Sequence, residues 1–271
     1  MNRRHLAMLL GLGAVWGASF MFIKVGDREL HPITLVGFRM GLGALTLVPI
    51  VLATVGAKRT VRELRVAAGP LIVTGLLNSA IPIFAITWAE TRIDSGLTAI
   101  IQASAPLFTA LLVGGRPGGE LTAALAVVFS ALCYAAAALY AGGRLGGISP
   151  LVTALGTLTA ATLATLPIGL FQLPSHMTSW KVTASVLTLG IAGTGLGYIL
   201  YYGLIAGAGA SRAILITYLV PTFAVVYGAV LLGEPVTGAA LGGLALVLAG
   251  VGLGTGAVRL GRARRVASSE T

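Results

Sequence analysis

Charged residues are scarce in this sequence, and their scarcity excludes most soluble proteins. Only 10% of the 271 residues are charged, while 56% are hydrophobic and the mean hydropathy is +0.95. Soluble domains carry about 25% charged residues. The net charge of +10 arises mainly from basic residues in loops and tails, where positive charge sets membrane orientation. We therefore expect an integral membrane protein in a lipid bilayer, with no nucleic-acid partner.

Cysteine is nearly absent, which excludes disulfide scaffolds and thiolate metal clusters. Cys133 is the only cysteine. The three histidines lie far apart in tails or loops, and neither a zinc-ligand spacing nor a phosphate-loop lysine occurs. We accordingly predict no metal, no cofactor and no enzyme, and a membrane-embedded enzyme is the weakest alternative because no nucleophile or acid/base pair clusters at membrane depth.

Acidic residues are also few. No Asp or Glu lies well inside a predicted span, so a buried carboxylate relay has no obvious members and coupling to H+ stays an open possibility. Glu234 precedes a helix that is predicted to begin near Pro235. An acid at this position stabilises the N-terminal helix dipole, so we interpret Glu234 as structural.

Long apolar runs fill the chain from end to end. Each is close to the roughly 20 residues that cross a hydrocarbon core about 30 Å thick. The first run is interpreted as a retained span, because no small-residue cleavage site follows it. We predict an all-α integral membrane fold, a polytopic helical bundle of nine spans, near residues 6–25, 32–55, 67–89, 95–113, 121–140, 150–172, 183–206, 211–232 and 238–257.

The two halves of the chain resemble each other. A shift of 118 residues aligns Pro32 with Pro150, and a shift of 115 aligns Pro106 with Pro221. Chance similarity among apolar helices is the alternative interpretation. Such duplication is typical of transporters in which two related halves enclose a midplane site. The predicted repeats are residues 1–120, with four spans, and residues 121–271, with five spans and a basic tail.

The first half lacks a counterpart of the last helix of the second half. Only seven residues, 114–120, link its fourth span to the next one. Nine alternating spans divide the 16 basic residues of loops and tails eight against eight, whereas cytoplasmic loops are expected to hold an excess. A tenth span in this region changes the division to twelve against four, with both termini cytoplasmic. We infer the loss of a fifth helix from a ten-helix ancestor, or one re-entrant segment.

Three stretches resemble the EamA-type members of the drug/metabolite transporter superfamily. Residues 16–20 with Lys24 are similar to the family's first helix, residues 38–40 to its second-helix arginine motif, and residues 197–251 to the last three helices of a repeat. The resemblance implies two inverted repeats of five helices in the cell membrane, and a cavity lined by the first four helices of each. It implies alternating-access export of amino acids or other small metabolites, and homodimers in some branches. The alternative is an assembly partner that does not transport.

Two basic residues lie within predicted spans. Trp16, Phe20 and Lys24 are four residues apart, which places them with Ser19 on one helix face that lines a cavity. Alternatively, Lys24 extends to the membrane interface. Arg39 lies deeper, where it either binds an anionic group or holds neighbouring helices together.

Amides and prolines interrupt several spans. Asn78 and Gln102 either bind a solute or join two helices by hydrogen bonds. Pro82, Pro106 and Pro221 free backbone carbonyls and are candidate hinges, although a static kink is equally consistent with the sequence.

Aromatic residues complete the candidate substrate-binding set. Tyr198 and Tyr202 are one helical turn apart, with Tyr218 on the following span, and aromatic faces suit amphiphilic or cationic solutes. Trp88 is a further candidate, although Trp88 and Tyr140 equally fit the interfacial belt of a membrane protein.

Overall fold

The computed structural model describes residues 3–103, 119–209, 215–238 and 240–246, and within them the side chains of residues 119, 120, 138, 217 and 218 are outside the description. These residues form helices and turns without a strand. Six helices are long and apolar enough to cross a membrane, and a seventh apolar helix is shorter. The helices are α1 (Arg3–Gly26), α2 (Pro32–Thr54), α3 (Ala57–Val66), α4 (Ala68–Glu90), α5 (Ser95–Ala103), α6 (Gly119–Arg144), α7 (Pro150–Leu170), α8 (Trp180–Ala208) and α9 (Ile216–Tyr227).

Most predicted spans coincide with a helix to within a few residues. The fourth predicted span is described only as far as Ala103 and the ninth only as far as residue 246, so the rest of both lies outside the described residues. The prediction of a loop between the second and third spans was wrong. This segment forms α3, an amphipathic helix whose polar face carries four basic residues, because charged and apolar residues alternate there with helical period.

Three carboxylates accept hydrogen bonds from the first backbone N–H groups of helices elsewhere in the chain. Glu29 accepts from Ser179 at 2.7 Å, immediately before α8. Glu63 accepts from Ser149 at 2.9 Å, immediately before α7. These groups have no partner within their own helix, and an acid there also complements the helix dipole. Hydrogen bonds from Ser179 hold the pKa of Glu29 below its usual value.

Glu234 provides the third of these contacts. Its carboxylate accepts hydrogen bonds from the N–H of Ser95 at 3.0 Å, from the Ser95 hydroxyl at 2.7 Å and from the N–H of Gly96 at 3.3 Å. The structural role predicted for Glu234 therefore acts on the N-terminus of α5 and not on the helix that follows Pro235. The sequence did not indicate which helix end would lie nearest to the Glu234 carboxylate.

These contacts define two ends of the helical bundle. The basic end comprises residues 55–67 and 145–149, where Leu145 packs against Ala67 and Leu71. The acidic end comprises residues 27–31, 90–95, 171–179 and 233–237. Charges divide unequally between the ends. The basic end carries one acid, Glu63, and four basic residues, with Arg144 beside it, whereas the acidic end carries two arginines, Arg28 and Arg92, and the five acids Asp27, Glu29, Glu90, Asp94 and Glu234.

Helices α5 and α6 both begin at the acidic end. Ala123 and Val127, in the first turns of α6, pack against Ala89 and Ile93 at the end of α4. Helix α6 then runs to Leu145 at the basic end. Helices α5 and α6, which lie on either side of residues 104–118 in the sequence, therefore begin at the same end of the bundle.

Close packing between α2 and α7 forms the centre of the bundle. A Cβ atom added to Gly37 would lie 2.7 Å from the Leu166 Cα, and one added to Gly169 would lie 2.8 Å from the Thr34 Cα. The Thr34 hydroxyl donates to the Gly169 carbonyl at 2.9 Å. Small residues permit this backbone approach, which gives helices in lipid both dispersion contacts and interhelical hydrogen bonds.

Candidate functional site

Helices α4 and α8 each contain a π-helical segment at the middle of the bundle. The segments are Leu76–Ala80 and Leu189–Leu196. A 115-residue shift places residues 76–80 on residues 191–195, within the second segment. A π-helical turn displaces backbone groups from the regular ladder and is frequent at functional sites. Both segments contribute side chains to the group of polar residues described next.

Arg39 is the only basic side chain described as buried in the bundle interior. It is 8% exposed, and its Nε donates to the Thr194 hydroxyl at 3.1 Å. The Thr194 hydroxyl in turn donates to the Leu189 carbonyl at 2.9 Å. Among the described residues no carboxylate oxygen lies within 4.0 Å of Arg39, since the one described ion pair joins Arg59 and Glu63. A buried guanidinium without a close anion is suited to receive one.

Amide and aromatic groups surround the same region. The Asn78 side chain donates to the Tyr198 hydroxyl at 3.3 Å, which joins α4 to α8. The Tyr198 and Tyr202 rings stack with their centroids 6.1 Å apart. We call Arg39, Asn78, Thr194, Tyr198 and Tyr202 the central polar cluster. Four of its five members were predicted. Thr194 was missed, although the 115-residue shift aligns it with Ser79.

Helix α1 contributes aromatic contacts beside this cluster. The Trp16 indole Nε1 donates to the Gly193 carbonyl at 3.0 Å, and the Trp16 ring lies 5.4 Å from that of Tyr201. This hydrogen bond satisfies a carbonyl in the π-helical segment of α8. Ser19 and Phe20 are buried near the same helix face, with the Ser19 hydroxyl bonded to the Val15 carbonyl within α1.

Lys24 contacts the end of a neighbouring helix, a partner that the sequence did not indicate. Its ammonium donates to the backbone carbonyl of Glu90 and, at 2.6 Å, to that of Ile93. These carbonyls lie at the C-terminal end of α4, where a cation is favourable. Lys24 therefore joins α1 to α4 at the acidic end.

Two buried carboxyl groups were missed by the sequence analysis. The Glu90 side chain is 0% exposed, and all four carboxyl oxygens of Asp27 and Glu90 are buried without a hydrogen-bond partner among the described residues. Both residues stand at helix ends, so neither lies well inside a span. Only the packing of α1 against α4 removes them from solvent, and the sequence did not indicate this burial.

The other predicted site residues lie apart from the central polar cluster. Gln102 accepts a hydrogen bond from Ser130 at 2.7 Å and so joins α5 to α6. Trp88 lies at the acidic end, where the Arg92 guanidinium is 3.7 Å from its ring centroid. This contact is also typical of an interfacial residue.

The predicted hinges fall near the π-helical segments. Pro82 lies two residues after Leu76–Ala80, and Pro221 lies inside α9 ahead of a third segment, Gly228–Leu232. Pro106 and the side chain of Tyr218 lie outside the described residues.

Two of the cavities among the described residues are not lined by the central polar cluster. One of about 330 Å³ lies at the acidic end between α5, α9 and residues 234–240. The other, of about 190 Å³, lies between α1, α8 and α9 and includes Ser19 and Phe22. Tyr198 and Tyr202 instead pack against a buried apolar core that includes Val36 and Met40, so side chains partly cover the cluster in this conformation.

These helices define a multi-pass α-helical membrane protein with a polar cluster at its centre. The sequence profile of the EamA-like transporter family matches residues 4–114 and 121–255, and the chain belongs to that family. It is 26% identical to an uncharacterized transporter from Archaeoglobus fulgidus, covering 87% of this chain and 93% of that protein. It is also 26% identical to a probable terminal-alkyne amino-acid exporter from Streptantibioticus cattleyicolor, covering 87% and 88%.

A protein of known crystal structure shares the fold. Its TM-score is 0.63 at 17% sequence identity, and the match covers 91% of this chain and 96% of that one. The family assignment supports a general transporter role, and the relatives are named as transporters rather than as enzymes.

Proposed function

We propose that this protein is a secondary transporter that exports small metabolites bearing a carboxylate, such as amino acids, by alternating access. The observation that carries the proposal is the buried Arg39 guanidinium, which has no close anion and lies beside an amide and two tyrosines. A substrate carboxylate would replace the missing anion, since a planar guanidinium binds carboxylates by two parallel hydrogen bonds.

The surrounding groups suit the rest of an amino acid. The faces of Tyr198 and Tyr202 attract an ammonium group and also cover apolar surface. Asn78 offers both a donor and an acceptor. The exporter from Streptantibioticus cattleyicolor, whose name specifies an amino acid, makes this substrate class the first to test.

The proposed mechanism uses two inverted repeats that rock about the contact between α2 and α7. The repeats correspond to residues 1–120 and 121–271. The matched π-helical segments of α4 and α8 are the proposed flexible points, with Pro82 and Pro221 as hinges, because a π-helical turn bends at lower cost than a regular helix. Rocking would open the covered cluster to each side in turn.

The proposed topology places both termini and the basic end in the cytoplasm. Helices α5 and α6 start from the same end, so α7, α8 and α9 have the orientation that the arginine distribution favours. The basic end then holds the cytoplasmic excess of Lys and Arg expected of the cell membrane.

Transport by the purified protein in lipid vesicles tests the proposal. Vesicles would be loaded with a mixture of radiolabelled L-amino acids, and efflux would be measured for the wild type, Arg39→Gln and Tyr202→Ala. We expect wild-type efflux and at least a tenfold loss in Arg39→Gln, since a bidentate charge-assisted contact is worth about 1.5–3 kcal/mol. Tyr202→Ala should raise the half-saturating concentration.

The matched control is Arg28→Gln, which makes the same substitution at an exposed arginine of the acidic end. It should transport as the wild type does. Circular dichroism and thermal unfolding of each variant distinguish loss of binding from loss of fold. A folded wild type that moves no amino acid, or an Arg39→Gln variant with unchanged efflux, would contradict the proposal. The first result would instead favour a non-transporting assembly partner.

A further inference from the structure

Asp27 and Glu90 form a pair of buried carboxyl groups that the proposed substrate site does not use. Asp27 follows the last residue of α1, and Glu90 is the last residue of α4. Their four oxygens are buried and have no hydrogen-bond partner among the described residues. Most buried polar groups in proteins are paired, so an orphaned pair calls for an explanation by a bound group or by function.

The charges around the pair come from four parts of the fold. Among the described residues, four charged groups interact with Glu90. They are Asp27 itself, Lys24 in α1, Arg39 in α2 and Glu234 in the loop after α9. Glu234 is occupied by the N-terminus of α5, and Arg39 is bonded to Thr194. Lys24 is the cation that the two carboxyl groups share, since its charge acts on Asp27 as well as on Glu90.

Because Arg39 is assigned to the substrate carboxylate, charge balance at the pair requires one further positive charge. Two ionised carboxylates against one ammonium would leave a net negative charge away from water, which costs several kcal/mol. A single proton on the pair makes the group neutral. Burial raises the pKa of Asp27 to about 8, against the opposing influence of Lys24, so a proton is retained near neutral pH.

We propose that the Asp27–Glu90 pair binds one proton and that transport is coupled to the exchange of this proton, an inference that rests on the proposed transport function. The pair lies where α1 meets α4, and Lys24 bridges the two helices there. If the acidic end opens, water reaches both carboxyl groups and the ionised form becomes favourable. The proton is therefore held in one conformation and released in the other, as coupling requires.

Infrared difference spectroscopy tests the proton site without any substrate. A protonated carboxyl group gives a C=O stretch that shifts in deuterium oxide. We expect the wild type to lose this band as the pH rises past about 8. Glu90→Gln and Asp27→Asn should each lack it at neutral pH, because the one remaining carboxylate is balanced by Lys24. The control is Glu29→Gln, which replaces an acid at the same end of the bundle but outside the pair. This variant should keep the C=O band.

Equilibrium accumulation in vesicles tests the coupling. With the membrane potential clamped at zero, one proton exchanged per amino acid gives roughly tenfold accumulation for a pH difference of one unit. We expect this ratio for the wild type and Glu29→Gln. Glu90→Gln and Asp27→Asn should equilibrate the same radiolabelled amino acids at a ratio near one.

Each result has a separate meaning. A wild type without the band, or variants that retain it, would overturn the proton site whatever the transport result. A band accompanied by wild-type accumulation that ignores the pH gradient would overturn the coupling and leave the transport function intact. Absence of any amino-acid flux would overturn the proposed function and the coupling with it, while the infrared result still decides the proton site.

Discussion

The carboxylate of Glu234 accepts the backbone hydrogen bond of Ser95 at 3.0 Å across 139 residues of sequence. The contact joins the loop after α9 to the N-terminus of α5, and the Ser95 hydroxyl and the Gly96 N–H donate to the same carboxylate. This side chain therefore links the two halves of the chain at the acidic end.

Removing this carboxylate should destabilise the fold. We expect Glu234→Ala to lower the free energy of unfolding by about 1–2 kcal/mol, the usual loss for a helix cap. Thermal unfolding in detergent measures the change. Val236→Ala, in the same loop and exposed, is the control and should stay within about 0.5 kcal/mol of the wild type. Equal stability of the two variants would show that the contact contributes nothing.

A second prediction concerns the close approach of α2 to α7. A Cβ at Gly37 would lie 2.7 Å from the Leu166 Cα, so Gly37→Ala forces the helices apart and should cost about 1–3 kcal/mol. The matched control is Gly11→Ala in α1, where no heavy atom lies within 4 Å of the added Cβ. This control should be neutral or stabilising by up to about 1 kcal/mol, because alanine favours the helix. The reverse order would exclude the packing described here.

The protein should become less stable as the pH rises through the titration of Asp27. The pKa of Asp27 rises from its ordinary value of 3.8 to about 8, chiefly because burial removes water. Between these values the folded state binds more protons than the unfolded state, so the free energy of unfolding falls with increasing pH. Unfolding temperatures recorded across this window should decline for the wild type and decline less for Asp27→Asn. A wild-type stability that increases with pH across the window would disprove the assignment.

The orientation of the second half can be checked by labelling. In a Cys133→Ala background, Lys58→Cys and Arg144→Cys should react with an impermeant thiol reagent from the same side of sealed vesicles. Lys181→Cys should react from the opposite side, since Lys181 follows Ser179 at the acidic end. All three positions are exposed. Reaction of Lys58→Cys together with Lys181→Cys, with Arg144→Cys on the opposite side, would restore nine alternating spans.

Much of the fold was predictable because each span must suit lipid by itself. A helix in a bilayer satisfies its own backbone hydrogen bonds, so local composition is enough to locate it. The predicted second and sixth spans agree with α2 and α7 to within two residues. Local patterns also placed Arg39 inside the bundle, since a charge seven residues after the helix start is far from either end.

The sequence by itself therefore determined the class of protein, the family resemblance, most helix positions and four of the five members of the central polar cluster. Tertiary structure decided which helix ends contact each other. Lys24 contacts the carbonyl of Glu90, 66 residues away, and only this packing buries Asp27 and Glu90. Burial of a group at a helix end depends on the neighbouring helix that covers it, and the residues beside it in the sequence do not specify that neighbour.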